Sequence, residues 1–137
     1  MKKPCEHYGY EAVGPGWEQI LRDLDVRFVE ILDDMALMKL QVVQIKEKFG
    51  GLRVYTRSGP RFVEAIQEEL REAVGEAEAK SFKTCEMCGQ PGKIGGSSWA
   101  KTFCSEHHQE RELTGENPLR KIWEERNRDK QVMRPRN

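Results

Sequence analysis

The sequence has no excess of either charge: 23 lysines and arginines meet 23 aspartates and glutamates. That balance excludes a protein that coats nucleic acid or an anionic membrane through its overall field, leaving only local patches for such contacts. Also missing is any apolar run near the roughly 20 residues that a membrane helix needs, so no membrane partner is expected. Met1-Lys2-Lys3-Pro4 leads into polar residues where a secretory leader would be hydrophobic, which predicts a cytoplasmic protein. Apolar residues are scarce, at 37% of the 137 against 34% charged. One compact domain, or a small core with a metal-stapled appendage, fits that length, and two full domains do not. A composition this lean needs support from something besides apolar burial.

Cysteine is sparse as well, with four in the chain. In a reducing compartment these are not a disulfide framework. Their spacing suits a metal: Cys85-Glu-Met-Cys88 and Cys104-Ser-Glu-His107 are two pairs, each with a two-residue gap, separated by 15 residues. A tetrahedral zinc ion takes four ligands drawn from thiolate and imidazole, and a two-residue gap lets both members of a pair reach one ion. Gly89 directly after Cys88 permits the tight turn of a zinc knuckle, where backbone amides point at the sulfurs. His108 neighbours His107 and competes for the fourth place, but the gap selects His107. Cys5 and His7 form a further Cys-x-His pair, readable as spare ligands or as ordinary N-terminal residues.

Four protein ligands leave no position for a reactive water, so the predicted site is structural. Enzyme signatures are missing at specific residues. A nucleobase deaminase needs His-x-Glu upstream and then Pro-Cys-x-x-Cys, whereas Thr84 precedes Cys85 and no His-x-Glu lies upstream. The metalloprotease pattern His-Glu-x-x-His is absent too. Gly89-Gln-Pro-Gly92-Lys93 lacks Walker spacing and the following Ser or Thr.

Around this module the periodicities predict an α+β fold. After Gly14-Pro15-Gly16, the residues Trp17, Ile20, Leu21, Leu24, Phe28, Ile31, Leu32 and Met35 recur at three- and four-residue steps, the mark of an amphipathic helix of about five turns. Leu40 to Thr56 turns to β-branched and alternating residues on either side of Phe49-Gly50-Gly51, which predicts a β-hairpin. Ser58-Gly59-Pro60 breaks that pattern, and Phe62, Val63, Ile66, Leu70, Ala73 and Ala77 mark a second amphipathic helix, weakened at Gly75. Thr84 to His108 is the metal module, with Pro91 to Trp99 as a glycine-rich loop and Trp99 and Phe103 over the apolar side of the ion. The order of knuckle first and helix-borne ligands last predicts a treble-clef-like zinc module. Asn117 and Pro118 start a short helix with Leu119, Ile122 and Trp123, and a polar, basic tail begins at Arg126. The expected divisions are a helix, hairpin and helix core over 1–83, the zinc module over 84–113, and the C-terminal helix and tail over 114–137.

One further constellation stands out. Lys46-Glu-Lys48-Phe49-Gly-Gly-Leu-Arg53 gathers three cations, one carboxylate and an aromatic around the hairpin turn. It is readable as a solvated turn whose lysines blunt an edge strand. It is also readable as a partner-binding tip, with Lys46, Lys48 and Arg53 for phosphate or acidic surfaces and Phe49 or Tyr55 for stacking, though its chemistry alone favours the solvated turn.

Gly16-Trp-Glu-Gln-Ile20, Gln44-Ile-Lys-Glu-Lys-Phe-Gly-Gly-Leu-Arg-Val-Tyr55, Cys85-Glu-Met-Cys88-Gly-Gln-Pro-Gly92 and Trp99-Ala-Lys-Thr-Phe-Cys104-Ser-Glu-His107 together resemble a group of small uncharacterised proteins of bacteriophages, prophages and bacterial genomes. The resemblance spans roughly residues 14 to 107. It implies a zinc site and a phage or prophage origin, with action in the bacterial host cell, and it implies no mechanism. The leading expectation is a non-enzymatic, zinc-stabilised interaction protein, a phage accessory factor binding a host or phage protein. Nucleic-acid binding through the zinc module, hairpin cations and basic tail comes second. A zinc-containing nuclease, with His108 and Glu106 as its nearest candidates, comes third.

Overall fold

A computed structural model describes residues 2–58, 62–96 and 99–133, with side chains of the last helix described through Arg128. Gly59-Pro60-Arg61, the Ser97-Ser98 pair of the glycine-rich loop and the end of the tail after Met133 lie outside the described residues.

The chain opens with an element that periodicity did not reveal, the short helix α1 (Pro4–Tyr8). Five residues cannot sustain a helix alone. Asp25, wholly buried on the next helix, supplies the missing partner. Its carboxylate accepts the backbone N–H of Cys5 at 2.7 Å and of Glu6 at 3.1 Å, and the Tyr10 hydroxyl at 2.6 Å. Two single 3₁₀ turns, Tyr10–Ala12 and Pro15–Trp17, then lead into α2 (Glu18–Ile31).

The predicted five-turn helix stops early. Leu32 is extended, and Asp33 caps a separate α3 (Asp34–Leu37) by accepting the Ala36 N–H at 2.8 Å. A capping aspartate competes with continued helix, and Met35, counted on the apolar face from sequence, is 73% exposed as a result.

Strands β1 (Gln41–Lys48) and β2 (Gly51–Arg57) form the antiparallel hairpin, with Ile45 opposite Val54 and Lys46 opposite Arg53. Phe49 and Gly50 make the two-residue turn, both at positive φ (+54° and +86°), the signature of a type I′ connection. Helix α4 (Glu64–Ser81) seals the free edge of β2: the Leu52 N–H donates to Ser81 Oγ at 2.8 Å and the Val54 N–H to Glu78 Oε2 at 3.0 Å. This answers how a two-stranded ribbon, marginal by itself, is held. Its inner face, Val42, Ile45, Leu52 and Val54, packs in one core with Leu21, Leu24 and Phe28 of α2 and Leu70, Ala73 and Ala77 of α4.

The second half is built differently. Strands β3 (Lys93–Gly95) and β4 (Lys101–Phe103) pair antiparallel, followed by α5 (Ser105–Thr114) and α6 (Leu119–Met133). Asn117 caps α6, its side chain accepting the Leu119 N–H at 3.1 Å. The helix runs to Met133, past Arg126 where the sequence predicts a tail. A small second core joins Cys85, Phe103 and Leu119, with Met87, Ile122 and Trp123 packed against it. No helix among the described residues is long and apolar enough to cross a membrane.

Candidate metal centre and its seam with the hairpin

Cys85 and Cys88 lie on the turn between α4 and β3, and Cys104 and His107 lie at the start of α5. Cys104 is the N-cap of α5 and His107 sits in its first turn, so the helix start aims both side chains to one side. The four ligand atoms all lie within 4.8 Å of one another. His107 Nδ1 stands 3.1 Å from Cys104 Sγ and 3.5 Å from Cys85 Sγ, and Cys88 Sγ is 3.7 Å from Cys104 Sγ. A tetrahedron with metal–sulfur bonds of about 2.3 Å and metal–nitrogen bonds of about 2.0 Å has edges of about 3.8 Å between sulfurs and about 3.5 Å between sulfur and nitrogen. The cluster therefore has the size and donor set to hold one metal ion.

The surroundings act on two of the thiols in opposite directions. Burial pushes the Cys88 thiol up to about 11, while the Gln90 backbone N–H pulls it the other way. Burial would also raise Cys104, but hydrogen bonds from the His107 backbone and ring and from Cys88 and Cys85 outweigh it and bring that thiol down to about 7. Amides aimed at sulfur from the knuckle turn and the helix start stabilise the thiolate that a metal needs.

The structure places His107, not His108, with the cysteines. The His108 ring turns away, with Nε2 2.7 Å from the Lys93 carbonyl oxygen and its edge 5.5 Å from the Phe103 ring by centroid. Phe103 is wholly buried beside both imidazoles, as expected, whereas Trp99 is 78% exposed and covers nothing on the site. Cys5 is buried in the main core, and neither it nor His7 joins the cluster.

A seam joins the metal module to the rest of the protein through polar backbone contacts. The Gly16 N–H donates to the Glu86 carbonyl at 2.7 Å, and Trp17 Nε1 donates to the Thr84 carbonyl at 2.8 Å. Gly16 lies so close that a Cβ there would sit 2.0 Å from the Cys85 carbonyl oxygen. Glu86, 1% exposed, accepts the Gly14 N–H at 3.0 Å through Oε2, and its Oε1 faces Lys101 Nζ at 3.9 Å. Burial raises the Glu86 carboxyl, and Lys101 and the Gly14 amide draw it partly back. Lys101 Nζ also meets Glu47 Oε1 at 2.8 Å, and Thr102 Oγ1 donates to the Gly50 carbonyl at 2.6 Å.

The conspicuous hairpin motif thus divides. Glu47, Gly50, Gly51 and Leu52 serve the fold: Glu47 Oε2 accepts the Gly50 N–H at 2.7 Å and its other oxygen takes Lys101, Gly51 lies under the Phe82 ring, and Leu52 enters the core. The five sequence-predicted partner residues face elsewhere. Lys46 lies over the Tyr55 ring at 5.6 Å and Lys48 over the Phe49 ring at 5.5 Å. Phe49 is 72% and Tyr55 42% exposed, and Arg53 is half-buried with Glu78 at 3.8 Å.

Sequence reasoning missed Glu86, Lys101 and Asp25. A carboxylate inside Cys-Glu-Met-Cys reads as surface, and only its tertiary partners, the Gly14 amide 72 positions away and Lys101, reveal its role, just as Lys101 is explained by Glu47, 54 positions away. Compared with known proteins, the chain matches no family model, no curated protein and no solved structure.

Proposed function

We propose that this chain is a small, non-enzymatic recognition protein in which a structural zinc ion, held by Cys85, Cys88, Cys104 and His107 in a treble-clef-like module, fixes the hairpin tip and leaves its outer face free for a partner. The observation that carries this reading is the division of the hairpin motif. Half of it is consumed by the seam and the main core, while Lys46, Lys48, Phe49 and Tyr55 make no contribution to packing that would account for them. Three thiolates and an imidazole fill a tetrahedron and leave no place for a reactive water, which supports a structural ion. The engagement of the His108 ring by Lys93 and Phe103 supports a structural role for that residue over a nuclease role. Soft sulfur donors with one imidazole favour zinc among available divalent ions. Action inside a bacterial cell, as a phage-encoded accessory factor, completes the proposal and rests on the sequence resemblance alone.

The test is affinity capture from bacterial lysate, with and without nuclease treatment, using the wild-type chain and a Lys46→Glu/Lys48→Glu variant of matched metal content and thermal stability. The reading expects the variant to lose partners that the wild type retains. Identical recovery by both proteins would overturn it.

A further inference from the structure

Alternate residues of a strand share a face, and the register places Lys46 opposite Arg53, Gln44 opposite Tyr55 and Gln41 opposite Arg57. Lys46, Lys48, Arg53, Tyr55 and Arg57 therefore form one outward ridge, with Phe49 at its end. The ladder from Gln41 to Lys48 gives that ridge a length of roughly 23 Å at about 3.3 Å per residue. Beyond the tip, Phe49 and Trp99 line a cleft of about 610 Å³ together with Lys48, Arg111 and the Lys101–Glu47 ion pair.

Two features of this ridge work against the fold. Lys46 and Arg53 are directly opposed like charges, an arrangement that weakens a hairpin. Arg53 has Glu78 at 3.8 Å to offset this, while Lys46 lies over an aromatic ring. Phe49 occupies a left-handed conformation (φ +54°) that glycine or asparagine adopts more readily, and at 72% exposure it recovers little by packing. Strain and like charge kept at an exposed site point to use by a ligand. The carboxylates nearest the ridge are tied inward, Glu47 to the Gly50 amide and Lys101, Glu78 to the Val54 amide and Arg53. A chain with no net charge thus carries a locally cationic face.

Along that face aromatic and cationic groups alternate, Tyr55 with Lys46 and Phe49 with Lys48, and at the tip Phe49 shares its cleft with Trp99, whose carbonyl accepts from Arg111 Nη2. Flat rings at intervals with cations between them match a strand of unpaired bases joined by phosphates, where each base offers a face to stack and each link a negative charge. An acidic protein surface would use the cations and leave three exposed rings without a role. We infer that the partner of this ridge is single-stranded nucleic acid, stacked on Tyr55, Phe49 and Trp99 and neutralised by Lys46 and Lys48. The inference rests on the proposed recognition role of the same face and names its ligand class. Contacts run to base faces and phosphates, so DNA and RNA strands bind alike.

The experiment measures fluorescence anisotropy of labelled oligothymidylate and oligouridylate, each of roughly twelve nucleotides, within the span of small single-strand sites, titrated with the metal-loaded full chain. Both strands are expected to bind, with the logarithm of affinity falling with that of salt at a slope of about −1.4 for two phosphates neutralised. Phe49→Asn suits the turn better than phenylalanine and keeps the fold, and it is expected to lose affinity by about tenfold, the loss of one stacked base. Lys46→Glu/Lys48→Glu should abolish binding with thermal stability and metal content unchanged. Wild-type affinity for both oligonucleotides in both variants, or no binding by the wild type, would overturn the inference. So would displacement of the strands by polyglutamate with a polyglutamate affinity that Phe49→Asn leaves untouched. That last result would assign the ridge to acidic proteins and leave the recognition role standing, whereas unchanged lysate capture by the charge-reversal variant would remove the role itself.

Discussion

The two halves of this protein are held by different physics. In the first, α2, the β1–β2 hairpin and α4 enclose a continuous apolar cluster running from Cys5 and Val13 to Ala77. In the second, the buried apolar residues among those described are Cys85, Phe103 and Leu119, with a partly buried fringe. Burial at about 25 cal/mol per Å² of apolar surface can carry the first half and not the second. The second half draws on two other sources, a cluster of four donors from two distant segments with the size to hold one metal ion and a polar seam against Gly14 to Trp17 and the hairpin tip. A region with little to bury can thus be ordered by few contacts, provided each is strong or covalent in character.

The largest expected effect comes from removing the ion. Replacing Cys85 by serine should abolish metal binding and unfold the second half, since structural zinc contributes on the order of 10 kcal/mol in small modules. The main core should survive. Thiol labelling separates the two: after chelation Cys85, Cys88 and Cys104 should react, while Cys5 stays protected, because burial and then the Asp25 carboxylate hold its thiol well above the ordinary range. Reaction of all four thiols at one rate would show that the halves melt as a unit and break the comparison.

Gly16→Ala probes the seam. The added methyl carbon would meet the Cys85 carbonyl oxygen at 2.0 Å and the Gly89 nitrogen at 2.5 Å, both of them backbone and neither free to swing away. Overpacking of this kind costs about 3 kcal/mol, and here it should also weaken metal retention because Cys85 belongs to the candidate donor cluster. A chelator competition assay would read both effects, and unchanged metal affinity with lowered melting would place the seam's role in stability alone.

Much of the first half was legible because periodicity reports burial directly. Ile20, Leu21, Leu24 and Phe28 on one helix, and Val42, Ile45, Leu52 and Val54 on the hairpin, all lie in the core that their spacing implied. Reading failed where a polar side chain decides the outcome. Asp33 ends the long helix by capping another, and Asp25 builds α1 from twenty positions away. The metal cluster was legible because ligand spacing is a local property, and the structure brings the four predicted donors together. The seam was not, since neither Glu86 nor Lys101 carries a local signal of its tertiary partners. The hairpin motif reads as a solvated turn or as a binding tip, and nothing local in it signals that Glu47 and Gly50 dock the metal module.

Lys101→Met should sit between the extremes. It leaves Glu47 without its 2.8 Å partner and Glu86 buried beside nothing cationic. Removing one member of a buried ion pair typically costs about 3 kcal/mol, largely the penalty of the charge left behind. Adding Glu47→Gln should recover part of the loss if the two residues act as a pair. Additive losses in the double-mutant cycle would show that Lys101 serves Glu86 and that the hairpin tip is held by Thr102 and Gly50 instead.

The smallest effect has the opposite sign and belongs to the apolar half. Gly75 lies in the interior of α4, at a negative φ, with nothing within 4 Å of the position a Cβ would take. An alanine there meets no clash and removes backbone freedom from the unfolded chain, which stabilises a helix by about 0.5 to 1 kcal/mol. Because α4 packs on α2 and seals the β2 edge through Ser81 and Glu78, that gain should appear in the melting of the main core. It should not appear in metal affinity, since Gly75 touches neither the ligands nor the seam. Hydrogen exchange resolved along the chain would decide the matter: slower exchange confined to α2, α4 and the hairpin would sharpen the division between halves, whereas equal slowing at β3, β4 and α5 would show that one cooperative unit spans both.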